Sequence, residues 1–151
     1  MRKTAEAESL ERESVDREVA RDAVTVSEIT NHVRVTVCPE FLEEHSEPSK
    51  HNYAFAYTVT IENLGEQSVQ LLRRHWIVNS GGAEYMQVKG DGVVGEQPML
   101  ESGDGFRYSS GTVIKDPVGS MHGWYTFRME DGALIEITIP RFDLIYPHLL
   151  H

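Results

Sequence analysis

From Tyr53 to Ile61, large apolar side chains stand at every second position: Tyr53, Phe55, Tyr57, Val59 and Ile61, with Ala54, Ala56, Thr58 and Thr60 between them. Successive side chains of a strand point to opposite faces, so this run gathers its apolar residues on one face only when extended. A helix would scatter the same residues around its circumference. The alternation recurs at Val33, Val35 and Val37, and further extended runs cover Val69–Val78, Ala83–Val88, Phe106–Ile114, Gly123–Met129 and Ala133–Ile139. Turn formers separate them at Asn63-Leu64-Gly65, Ser80-Gly81-Gly82, Ser102-Gly103-Asp104-Gly105 and Glu130-Asp131-Gly132. About seven short strands with a turn every 8–12 residues or so predict an all-β antiparallel sandwich.

With 151 residues the chain has the size of one domain. Cys38 is its single cysteine, which cannot close an intrachain disulfide or supply a cysteine-rich zinc site. The sandwich must therefore hold by packing alone, in the manner of fibronectin type III and immunoglobulin-like folds without disulfides. Residues 1–28 read differently, with alternating charges, no Gly or Pro, and a thin apolar set of Leu10, Val15, Val19, Ala23 and Val24. That segment is a charged N-terminal extension, either a docked amphipathic helix or a tail. The sandwich domain is assigned to residues 29–147 and a C-terminal tail to 148–151.

Charge narrows the partners. Fourteen Lys and Arg against 24 Asp and Glu give a formal charge of −10. A field of that sign opposes phosphate backbones, so nucleic acid is not expected. Behind Arg2 and Lys3 the sequence turns acidic at once, without the apolar stretch of roughly 7–15 residues that a signal peptide needs. No run of about 18 apolar residues spans a bilayer. The expectation is a cytoplasmic protein, monomeric or homodimeric, without membrane contact.

Four features are candidates for chemistry. Gly90, Gly92 and Gly95 spell G-x-G-x-x-G, the pattern that lets backbone approach a pyrophosphate at a helix N-terminus. Here Glu96-Gln97-Pro98 follows in place of a helix, so the residues favour a loop that needs glycine dihedrals, and a phosphate cradle is the alternative. In Arg74-His75-Trp76, period two places Arg74 and Trp76 on one face and Arg73 with His75 on the other. That motif reads as a ligand-facing Arg/Trp pair or as a structural cation–π stack. His45 and His51 flank the acidic loop of Glu40, Glu43, Glu44 and Glu47, with His75 and His122 on strands. A divalent cation such as magnesium or cobalt could use such donors, but no spacing matches a known metal loop, so no metal ligand is assigned. Catalytic constellations are thin: Ser109, Ser110 and Ser120 lack a nucleophile elbow, and no activating residue neighbours Cys38 in the sequence. A non-enzymatic reading follows.

Five segments, in order and spacing, resemble the ApaG family: Arg74-His75-Trp76-Ile77, Gly92-Val93-Val94-Gly95-Glu96-Gln97-Pro98, Tyr108-Ser109-Ser110-Gly111, Gly119-Ser120-Met121-His122-Gly123-Trp124-Tyr125 and Ile139-Pro140-Arg141-Phe142. The resemblance covers Ile29 to Tyr146, and the long charged N-terminus departs from it. It implies a fibronectin type III-like sandwich in a bacterial cytoplasmic protein. It further implies a link to cobalt resistance and magnesium efflux, and a protein–protein interaction role like that of the same domain beside F-box and polymerase-interacting modules. The pyrophosphate suggestion attached to the family's glycine motif would fall on Gly90, Gly92 and Gly95. The expected function is thus a binding module for a protein partner. The alternative is a small-ligand domain that takes a divalent cation or pyrophosphate at the glycine-rich loop.

Overall fold

A computed structural model describes residues 24–150; the expectations for residues 1–23 and His151 lie outside them. The alternating segments become nine strands: β1 (Val26–Thr30), β2 (Val33–Phe41), β3 (Tyr53–Asn63), β4 (Val69–Ser80), β5 (Ala83–Asp91), β6 (Met99–Leu100), β7 (Gly105–Ile114), β8 (Val118–Met129) and β9 (Leu134–Ile145). They form two antiparallel sheets, ordered β1-β2-β3-β7 and β5-β4-β8-β9, with the short β6 beside β4. The all-β sandwich is as the alternation requires.

The core lies between the sheets. Val33, Val35, Val37, Phe55, Val59 and Ile61 enter it from one side, and Trp76, Tyr125, Phe127, Ile137 and Phe142 from the other. Trp76 is 2% exposed. Its ring lies 5.1 Å from that of Tyr57, 5.9 Å from Phe142 and 6.5 Å from Tyr125, separations at which aromatic pairs attract beyond the area they bury.

Three strand bounds differ from the sequence reading. β1 begins at Val26, inside the segment assigned to the extension, because Asn31 and His32 both take positive φ and close a tight hairpin to β2. Asn-His is a weaker turn signal than Asn-Gly, so the hairpin is easy to overlook. β8 begins at Val118, five residues before the expected Gly123. Glycines there read as turn formers, yet they serve strand pairing. A Cβ on Gly123 would stand 2.0 Å from the His75 carbonyl oxygen, and one on Gly119 2.3 Å from that of Asn79. β9 runs on past Pro140 to Ile145, with a register shift against β8 between Met121 and Gly123 absorbing the irregularity.

The ends of the sheets are unequal. β1 lies against β9, and the Thr138 N–H donates to Thr30 Oγ1 at 3.3 Å. On the opposite side, β5 and β7 end their sheets as free edges among the described residues. Among the described residues no helix is long and apolar enough to cross a membrane.

Trp76→Ala and Phe55→Ala each remove a buried ring and should each cost about 3–5 kcal/mol. Urea denaturation of the two variants measures this, and wild-type midpoints would contradict the burial described.

Candidate functional site

β4 carries the residues that the sequence singled out, and a bulge decides where they point. Val69 and Leu71 face the core, and simple alternation would continue that phase through Arg73 and His75. Between Leu71 and Arg73 the register against β8 shifts by one residue. The phase then resumes with Arg74, Trp76 and Val78 inward and Arg73, His75 and Ile77 outward. The expected two-face split of Arg73-Arg74-His75-Trp76 is therefore present, with Arg74 and Trp76 on the inner side of the sheet. Trp76 is core.

Arg74 takes a different place. Gly90 pairs with it across β4 and β5. A Cβ on Gly90 would lie 2.8–2.9 Å from three atoms of the Arg74 guanidinium, so the guanidinium fills the space that glycine leaves. Its Nη1 donates to the carbonyl oxygens of Asp91 at 2.9 Å and Gly92 at 2.8 Å. Three buried tyrosines lie within its field. The Tyr108 and Tyr125 hydroxyls bond to each other inside the core. Desolvation pushes Tyr57, Tyr108 and Tyr125 above the ordinary tyrosine range, with Arg74 opposing the rise at each.

The glycine motif is a hairpin. Val93 and Glu96 exchange N–H···O bonds of 2.8 and 2.9 Å around Val94 and Gly95, both at positive φ. Gly92 has φ +64°, and a Cβ there would stand 2.3 Å from the Glu96 carbonyl oxygen. The Gly92 N–H donates to Leu72 O at 2.8 Å. A phosphate cradle needs free, convergent N–H groups; those of Gly92, Val93 and Glu96 are already committed within the chain. The three glycines thus have three separate structural duties: room for Arg74 at Gly90, close approach at Gly92, and a tight turn at Gly95.

On the outer face of the sheet, the strands bring together residues far apart in sequence. Lys89, His75 and Trp124 form one row across β5, β4 and β8, and Asp91, Arg73 and Thr126 form the next. The rings of His75 and Trp124 stack with centroids 4.1 Å apart. His75 Nε2 meets Gln87 Oε1 at 2.9 Å, while Gln87 Nε2 donates to Glu84 at 3.0 Å. That chain presents Gln87's oxygen to the imidazole and so sets Nε2 as the donor. Arg73, Arg74, His75, Lys89, Gly90, Asp91, Trp124 and Thr126 line an open cleft of about 460 Å³. The sequence reading did not single out Lys89 and Trp124 as site residues. Only the cross-strand register reveals that they flank His75.

Several candidate residues do not converge. His45 and His51 are exposed on the acidic loop, where His148 Nε2 lies 3.2 Å from Glu43 Oε1. His122 is half-buried, and its Nδ1 has no hydrogen-bond partner among the described residues. Among the described residues no group of three or more His, Cys, Asp and Glu side chains is placed to hold a metal ion.

A sequence profile of the ApaG domain matches residues 43–129. The chain belongs to the ApaG family. Protein ApaG of Thiobacillus denitrificans is 46% identical over 119 residues, 79% of this chain and 94% of that one. Protein ApaG of Pseudomonas paraeruginosa is 47% identical over 126 residues, 83% and 100% of the two chains. The crystal structure of an ApaA protein from Bordetella pertussis superposes with a TM-score of 0.74 at 40% identity, covering 82% of this chain and 98% of that one. The fibronectin type III-like sandwich is thus common to this chain and its ApaG relatives.

Two predictions test these assignments. Gly92→Ala should destabilise substantially more than Gly95→Ala, whose Cβ meets open space and which should cost only the ~1–2 kcal/mol of a left-handed non-glycine residue; equal midpoints in chemical denaturation would contradict the close approach at Gly92. For the buried tyrosines, folded and unfolded chains both keep their protons below the ordinary range near 10, so stability there is independent of them. Above it the unfolded chain releases protons that the folded chain retains, and stability falls as pH rises. Ultraviolet difference absorbance should show the phenolate signal of Tyr57, Tyr108 and Tyr125 appearing only with unfolding.

Proposed function

We propose that the protein is a non-enzymatic binding module that captures a protein partner in the cytoplasm, by strand addition at the free edge of β5. The observation that carries this reading is the state of that edge. Seven of the nine β5 residues are exposed, among them Tyr85 at 43% and Met86 at 36%. An unpaired edge is a template for another strand, and proteins usually guard it with proline, charge or a cover. From Met86 to Asp91 the strand pairs regularly with β4, contains no proline, and has a single lysine. Its counterparts β1 and β9 cover one another, which makes the contrast within one molecule.

The glycine-loop alternative has less support, because the N–H groups that would hold pyrophosphate are engaged in the hairpin. The link to cobalt resistance and magnesium efflux implied by the family runs, on this reading, through the captured partner.

The double variant Tyr85→Lys/Met86→Lys tests the edge. Both residues are exposed, so stability should change by no more than about 0.5 kcal/mol per site. A partner isolated from the host and then purified should bind the variant at least about tenfold more weakly, a loss of roughly 1.4 kcal/mol. An unchanged Kd for the folded variant would rule out capture at β5.

A further inference from the structure

Arg73 and Lys89 form no ion pair among the described residues, although the chain carries a large excess of acid. Arg34, Lys50 and Arg141 each hold a carboxylate partner. Arg73 and Lys89 are instead diagonal neighbours across β4 and β5, where like charges repel. Asp91 stands opposite Arg73 in the register but makes no ion pair with it. Arg74 lies behind Gly90 at the base of the same cleft, its Nη1 engaged by the carbonyl oxygens of Asp91 and Gly92. Beside these cations the His75–Trp124 stack is already ordered, with His75 held by Gln87. A cleft that joins unpaired cations to a preformed aromatic wall is built for an anion attached to a flat apolar group.

We infer that this cleft recognises an acidic side chain and an aromatic one two residues further on, which share one face of an extended segment of the partner. The carboxylate sits between Arg73 and Lys89, and the ring two residues along packs against Trp124. The occupant is set by charge complementarity, since Arg73 and Lys89 both face the cleft against Asp91 alone and neither is paired with it. The inference rests on the interaction-module reading and gives the partner its chemistry. An extended segment that pairs with β5 reaches the cleft directly, because Lys89 belongs to β5 and the cleft opens over β4 beside it.

The test uses the full chain, isotopically labelled, and three capped peptides that differ only at the central tripeptide: Glu-Glu-Phe, Lys-Lys-Phe and Glu-Glu-Ala. The chain has two tryptophans, so the half-buried Trp124 indole signal is read against that of buried Trp76 as an internal control. The Glu-Glu-Phe peptide should give saturable shifts at Arg73, His75, Lys89 and the Trp124 indole. Binding should weaken about tenfold with Lys-Lys-Phe, with Glu-Glu-Ala, and with the Arg73→Glu/Lys89→Glu variant, each on protein with an unchanged melting curve. No saturable shift from Glu-Glu-Phe up to about 10 mM, beyond the weak end of the affinity scale, would overturn the inference. So would equal shifts from the lysine peptide. A purified natural partner separates the two readings. If it binds Arg73→Glu/Lys89→Glu as it binds wild type but is lost from Tyr85→Lys/Met86→Lys, the cleft assignment fails and the edge reading stands. The reverse pattern removes the edge and keeps the cleft.

Discussion

One guanidinium, lying where Gly90 has no side chain, organises this end of the sandwich. Arg74 reaches its place only because β4 bulges between Leu71 and Arg73, and it stays there because two carbonyl oxygens of the following loop accept from it. A charge taken partly out of water must be given hydrogen-bond partners. The sequence meets that demand by turning backbone oxygens of Asp91 and Gly92 toward it. The Val93–Glu96 hairpin follows directly on the two oxygens that hold Arg74, and beyond the bulge Arg73 and His75 turn to the outer face.

The same bulge reconciles two hydrophobic phases in one strand. Val69 and Leu71 cannot share a regular strand face with Trp76 and Val78, since the two pairs differ by an odd number of residues. The extra residue, Leu72, absorbs the difference. Its carbonyl oxygen then accepts from the Gly92 N–H at 2.8 Å and from Gln97 Nε2 at 2.9 Å, so the irregularity in the ladder becomes the anchor for the neighbouring loop. Backbone groups displaced by the bulge are used again a few ångströms away.

How much of this was legible in the sequence follows from the range of each signal. Alternation at Tyr53–Ile61 and Val33–Val37 reports local side-chain direction, and the core follows from it. The faces of Arg73, Arg74, His75 and Trp76 follow as well, because they lie on one continuous stretch of strand. Gly92 and Gly95 announce unusual dihedrals but not what enforces them. At Gly92 it is the Glu96 carbonyl, at Gly90 a side chain sixteen residues earlier. Gly119 and Gly123 mislead for the same reason: their need is a close neighbouring strand, which sequence spacing does not encode. The cleft was the least legible part. Lys89, His75 and Trp124 come from three strands, and their meeting is a property of register.

The closed corner where β1 meets β9 sets the two flanks of the sandwich apart. β1 and β9, the first and last strands of the fold, both lie on the flank opposite β5. Among the described residues, the strands that open and close the fold therefore seal one flank and leave the other to the cleft and the open edge. The first and last strands of the sandwich shield each other's backbone, so the two flanks of one small fold carry opposite exposures.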